Sequence, residues 1–129
     1  MKKRIQINTK DSIYFIVPEE VVYCKSDQSS TTIFLENNEQ VSISREINDI
    51  EKILEGNNFI RPHQSYLVNR NFIKLVDMAD DYTLVLTTQE KIPTSAQMRK
   101  EIMDIILKIQ NSKSKVQSPK LKIQNSKEP

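Results

Sequence analysis

One glycine, one cysteine, one histidine and no tryptophan occur in 129 residues, and each scarcity removes a class of function. A lone Cys24 excludes an internal disulfide, and one cysteine with one histidine makes no zinc-ligand cluster. A lone Gly56 excludes the glycine-rich loops that cradle nucleotide phosphates. Catalysis needs a base beside a nucleophile, or paired carboxylates in a pocket. Cys24 and His63 stand far apart in no nucleophile motif, and Glu19, Glu20, Asp80 and Asp81 fall in polar breaks where solvation is their default. No apolar run approaches the roughly 18 residues of a membrane span, and Met1-Lys2-Lys3-Arg4 leads into Ile5-Gln6-Ile7-Asn8 rather than an apolar signal core. The expectation is a soluble cytoplasmic protein, not an enzyme, with no cofactor and no metal.

What remains is room for one domain and a tail. Apolar residues make up 37% and charged residues 28%, enough for a real core. The net charge of +2 is unevenly placed. Residues 1–107 carry 13 basic and 16 acidic side chains, a net −3, whereas residues 108–129 carry 6 lysines and 1 glutamate, a net +5. Within the acidic body, Gly56 to Val76 has no acid but holds Arg61, Arg70 and Lys74, and Lys91 to Lys100 has no acid but holds Arg99. Two basic patches on an acidic body suit a docking surface better than a general polyanion binder.

Short β-branched and aromatic runs separated by polar breaks predict strands at Ser12–Val17, Val21–Cys24, Thr31–Leu35, Gln40–Ile43, Ser65–Val68, Phe72–Val76 and Tyr82–Thr88. Glu36-Asn37-Asn38-Glu39 between two such runs reads as a hairpin turn. One short helix interrupts the strands. Ile47, Ile50, Ile53 and Leu54 share a face, Ser44 is the expected N-cap, and Gly56 follows where a left-handed residue is needed. A closing helix begins near Thr94-Ser95-Ala96-Gln97, a Thr-x-x-Gln capping box, with Met98, Ile102, Ile105, Ile106 and Ile109 as its apolar stripe. Beyond residue 110 the composition changes. Lys108-Ile109-Gln110-Asn111-Ser112-Lys113 recurs as Lys122-Ile123-Gln124-Asn125-Ser126-Lys127, which marks residues 111–129 as a basic low-complexity tail, expected to be disordered.

Phe59 to Arg70 is the stretch that points to function. In an extended segment Arg61, His63 and Ser65 share one side, with Pro62 and Gln64 on the other. Arginine and serine bond phosphate oxygens, and glutamine can pair bidentately with adenine in the major groove. By themselves these residues equally suit hydrogen bonding along a sheet edge.

Phe59-x-Arg61-x-His63-x-Ser65-Tyr66-Leu67-Val68-Asn69 resembles the signature of the LytTR DNA-binding domain, found in bacterial transcriptional regulators and usually fused to response-regulator receivers. Val21-Val22-Tyr23-Cys24, the helix from Ser44 to Leu54, Ile73 and Ile92-Pro93-Thr94-Ser95 resemble other family elements in order, so the likeness spans about residues 5–107. It implies a mainly β fold of elongated antiparallel sheets packed as a sandwich, with one short helix and a C-terminal helix. It also implies binding to double-stranded DNA with direct repeats through loops placed in successive major grooves, with a second copy on the DNA and a sensor or receiver protein in trans. Three loop regions would carry the contacts: Ser26 to Thr31, with Gln28, Ser29 and Ser30; the turn with His63, Gln64 and Ser65; and Ser95 to Lys100, with Gln97, Arg99 and Lys100. Phosphate contacts are expected from Arg61, His63, Ser65, Arg99 and Lys100, base contacts from Gln64, Gln97 and Gln28–Ser30. Arg70 and Asn71 complete the candidate DNA-binding set. Two departures stand out: Ala96 and Gln97 occupy positions where the family often has arginine, and Pro62 replaces a valine. The competing expectation is a β-rich protein-interaction module that modulates a related full-length regulator.

Overall fold

The computed structural model describes residues 3–114. Three antiparallel sheets make up most of it. Strands β1 (Ile5–Asn8) and β2 (Ile13–Ile16) form a two-stranded pair with Ile7 opposite Tyr14. Five strands, β3 (Val21–Asp27), β4 (Ser30–Leu35), β5 (Gln40–Ile43), β6 (Phe59–His63) and β7 (Tyr66–Asn69), make a sheet in the order β5-β4-β3-β7-β6. The third sheet, in the order β10-β9-β8, contains β8 (Ile73–Asp77), β9 (Thr83–Leu86) and β10 (Lys91–Ile92).

Alternation decides what each face buries. Val21, Cys24, Ile33, Ile43 and Leu67 pack with Ile7 and Ile16 of the β1–β2 pair and with Ile47, Ile50 and Leu54 of helix α1 (Ile47–Ile53) and its C-cap. Tyr23, Val68 and Ile60 lie in register across β3, β7 and β6 and are likewise buried. Tyr23 stacks on Phe34 with ring centroids 4.3 Å apart. The third sheet comes to this side, since Thr88 and Glu90 share a small cavity with Tyr23 and Phe34.

The expected hairpin at Glu36–Glu39 is present. Asn38 adopts φ +71°, and the amides of Leu35 and Asn38 bond across the turn. Gly56 has φ +83°, the left-handed conformation expected after the helix. Ser44 is not the cap. Thr31 Oγ1 donates to the Arg45 carbonyl at 2.8 Å and the Arg45 amide to that of Ile43, so the chain turns before it coils and Glu46 becomes N-cap. Thr94 likewise caps nothing: Ala96–Met98 forms a 3-10 turn ahead of helix α2 (Arg99–Ser114), with Ser95 at its N-cap making no side-chain bond. That helix runs past residue 110, where the tail was expected to begin, and residues 115–129 lie outside the described set. The described residues divide into two units, the first ending at Arg99 and holding all of their strands, the second beginning at Lys100. Among the described residues no helix is long and apolar enough to cross a membrane.

Candidate nucleic-acid interface

Pro62 shapes the central segment. It lacks an amide for the ladder, is confined to the edge strand β6, and the register there breaks between Ile60 and His63. The strand stops at His63, whose partner is Tyr66, leaving Gln64 and Ser65 as a two-residue turn. Arg61 and His63 therefore share a face as expected, but Ser65 does not continue it. Its amide folds back to donate to His63 Nδ1 at 3.0 Å. With Nδ1 accepting, the neutral ring carries its proton on Nε2, a fixed donor for an outside acceptor. The His63 ring meets Tyr66 edge-on at 5.6 Å.

The β3–β4 connection is equally tight. Asp27 pairs with Ser30, so Gln28 and Ser29 alone form the turn, both exposed. Gln28 has φ +60°, uncommon for a side chain of its size, and Ser30 Oγ closes the turn on the Asp27 carbonyl at 3.1 Å. The Ser26 amide donates to the Ser65 carbonyl at 2.8 Å, which ties this turn to the Gln64 turn. A second main-chain bond, Ser95 amide to Pro62 carbonyl at 2.9 Å, brings in the start of the third segment. The first two expected contact segments and Ser95, the start of the third, thus meet at the end of the five-stranded sheet where β3 turns into β4 and β6 into β7. A groove of about 300 Å³ lies between the first two turns and helix α1, with Ser26, Gln28, Arg61, Gln64 and Asn48 among its walls.

The expected residues are not equally free within that arrangement. Gln28, Ser29, Gln64, Gln97 and Lys100 are exposed, and Lys100 opens the second unit. Arg99 reaches back to Asp81 at 3.5 Å, with its guanidinium 5.2 Å from the Tyr82 ring centroid. Arg61 is bound within the protein, to acceptors on its own turn and on α1. Arg70 and Asn71 lie beyond the far end of β7 from Gln64, with the whole four-residue strand, ~13 Å, in between. There the Asn71 amide bonds Asn69 Oδ1, and its side chain accepts from Asn58 Nδ2. Burial lowers the Arg70 guanidinium from its ordinary value.

Three residues not anticipated from the sequence belong to this end of the molecule. Lys25 is exposed, pairs with Tyr66 and Thr32, and holds Nζ 5.9 Å from the Tyr66 ring centroid. It was legible in principle, since it lies one residue before the Ser26 loop. Asn48 and Glu51 of α1 face Arg61 across 13 and 10 positions of chain, and no local pattern announces such a pairing.

Residues 11–107 match the LytTr DNA-binding domain. The chain belongs to the LytTR family. The sensory transduction protein LytT of Enterococcus faecalis is 28% identical over 102 residues, covering 78% of this chain and 42% of that protein. LytT of Oceanobacillus iheyensis is 26% identical over 107 residues, covering 80% and 44% respectively. The transcriptional regulatory protein NatR of Bacillus subtilis is 30% identical over 71 residues, 55% of this chain and 30% of NatR. This LytTR chain thus spans less than half the length of these relatives. In fold it resembles the solved LytTr DNA-binding domain of a Bacillus cereus DNA response regulator, with a TM-score of 0.66 and 22% identity over 82% of this chain and 98% of that one.

Proposed function

We propose that this LytTR domain binds double-stranded DNA sequence-specifically as the DNA-reading part of a bacterial transcriptional regulator. The observation that supports the proposal most is the pair of main-chain bonds, Ser26 to Ser65 and Ser95 to Pro62, which join the Gln28 turn, the Gln64 turn and Ser95 at one end of the sheet. Gln28–Ser30 and His63–Ser65 enter one major groove region, and Ser95–Lys100 enters the next. His63 Nε2, Ser65, Arg99 and Lys100 hold phosphates, and Gln28, Gln64 and Gln97 read base edges. Exposed glutamines at such turns favour adenine, whose N6 and N7 match a carboxamide. Arg70 and Asn71, at the far end of β7, are left out of this interface. Two copies on a direct repeat complete the assembly, and the input signal arrives through a receiver or sensor, fused or in trans. The cytoplasm is where such a target is found.

In vitro selection of random duplexes by the chain tests this reading. Enrichment of a direct repeat with A·T pairs at the contacted positions supports it. Enrichment of G·C there refutes the glutamine readout, and no enrichment refutes sequence-specific binding.

A further inference from the structure

Arg61 stands in the segment most specific to the family, and its side chain is spent inside the protein. Nε donates to the His63 carbonyl at 3.1 Å and Nη2 to the Gln64 carbonyl at 2.5 Å. Nη1 donates to Asn48 Oδ1 at 3.0 Å and to Glu51 Oε1 at 2.6 Å. The planar fork therefore holds two consecutive carbonyls of the turn on one side and helix α1 on the other. Its side chain is 17% exposed, against 45% for Glu51. Helix α1 is itself fixed, with Ile47, Ile50 and the following Leu54 in the core. An unbroken chain of contacts leads from the core through α1 and Arg61 to the peptide groups that aim His63 and Gln64 outward.

We infer that Arg61 is a positioning residue: clasped by Glu51 and Asn48, it presets the Gln64 turn for base readout and does not itself hold a phosphate. The inference rests on the DNA-binding reading above but deepens it. Four of the five N–H donors of Arg61 are already engaged, which leaves a single Nη2 hydrogen and no bidentate grip for a phosphate. Glu51, beside it, also offsets the charge that would attract a phosphate. A fork that grips two carbonyls and a carboxylate together is a task for arginine's fixed geometry, which lysine's single ammonium does not reproduce.

The two roles predict opposite signs for one surface change. The whole chain, Glu51→Gln and Arg61→Lys would be compared by anisotropy on a selected duplex and on one altered at the Gln64-contacted pair, across a salt series. Amide exchange at Ser26 and Ser65 would be followed without DNA. If Arg61 positions the turn, Glu51→Gln speeds exchange of the Ser26 and Ser65 amides severalfold relative to Cys24 in mid-strand. It also cuts preference for the selected duplex about tenfold and leaves the salt slope unchanged. Arg61→Lys behaves the same way despite keeping its charge. If Arg61 instead holds a phosphate, Glu51→Gln tightens binding to both duplexes, Arg61→Lys retains affinity and preference, and the turn amides do not change; any of these results overturns the inference. A wild-type chain that binds no duplex would refute the DNA reading, while the exchange result alone would still decide whether Arg61 positions the turn.

Discussion

Asn69 closes the family signature, and the structure assigns it to the fold rather than to DNA. It is 1% exposed. Its Nδ2 donates to the Val21 carbonyl at 2.9 Å and more distantly to that of Pro18 at 3.5 Å, while Oδ1 accepts from the Asn71 amide at 2.9 Å. One side chain thus ties the end of β7 to the start of β3 and shapes the turn into β8. Truncation in Asn69→Ala removes two good hydrogen bonds, each worth about 1 kcal/mol net, and leaves a buried carbonyl short of a partner at roughly 1–2 kcal/mol. The expected loss is roughly 3 kcal/mol. At about 4–8 °C per kcal/mol for a domain near 100 residues, the melting temperature should fall by roughly 10–25 °C. Asn69→Asp separates the two bonds. It keeps the acceptor for Asn71 but turns the donor into an oxygen facing the Val21 carbonyl. Burial and that carbonyl raise the introduced carboxyl's folded pKa above its unfolded value. The variant is therefore most stable relative to wild type below pH ~4, and loses stability as pH rises through the folded pKa. Urea unfolding of both variants between pH 3.5 and 7.5 checks this. A loss under 0.5 kcal/mol in Asn69→Ala, or an Asn69→Asp chain that gains on wild type with rising pH, would refute the reasoning.

Other outcomes follow from the same structure. Gly56→Ala should cost about 1 kcal/mol in denaturant unfolding; nothing lies within 4 Å of the added methyl, so the cost comes from φ +83° alone. Burial pushes the thiol of Cys24 up to about 12 from 9.0, and burial, then Glu90 and Tyr66, push Tyr23 up to about 12 from 10.0. Between pH 9 and 12 the folded chain thus holds protons that the unfolded chain releases, so stability falls as pH rises from about 9. Cys24→Ala should flatten the first part of that fall in alkaline urea titrations, and an unchanged slope would contradict the assignment. Gln64→Ala should leave the melting temperature and salt slope intact while cutting discrimination at its base pair by about 1–3 kcal/mol in competition binding.

Much of the fold was written in local pattern. The Glu36–Glu39 hairpin, the helix face with Ile47 and Ile50, and the left-handed Gly56 each needed only neighbours in sequence. Strand β1 did not show itself, because Ile5-Gln6-Ile7-Asn8 is short and becomes a strand by pairing with β2. Ser44 and Thr94 had the chemistry of caps but not the position, because bonds from distant residues, Thr31 to Arg45 and Ser95 to Pro62, set where the chain turns. The candidate interface divides along the same line. That three separated segments make up the candidate interface was implied by the family resemblance. Which of their side chains are free was not: Arg61 and Arg99 look alike in sequence to any exposed arginine, and their acid partners are supplied by tertiary contact.

The account stands on whether the end of the sheet carrying the Gln28 and Gln64 turns reads DNA. Fluorescence anisotropy of the whole chain against a labelled selected duplex and its scrambled counterpart, from low to high salt, tests that most directly. With Arg99 and Lys100 as the cationic phosphate contacts of each copy, the log–log slope is about −1.8 per copy bound on both duplexes, with tighter binding to the selected one at every salt. Binding that ignores sequence, or that is weak and indifferent to salt, would contradict the account.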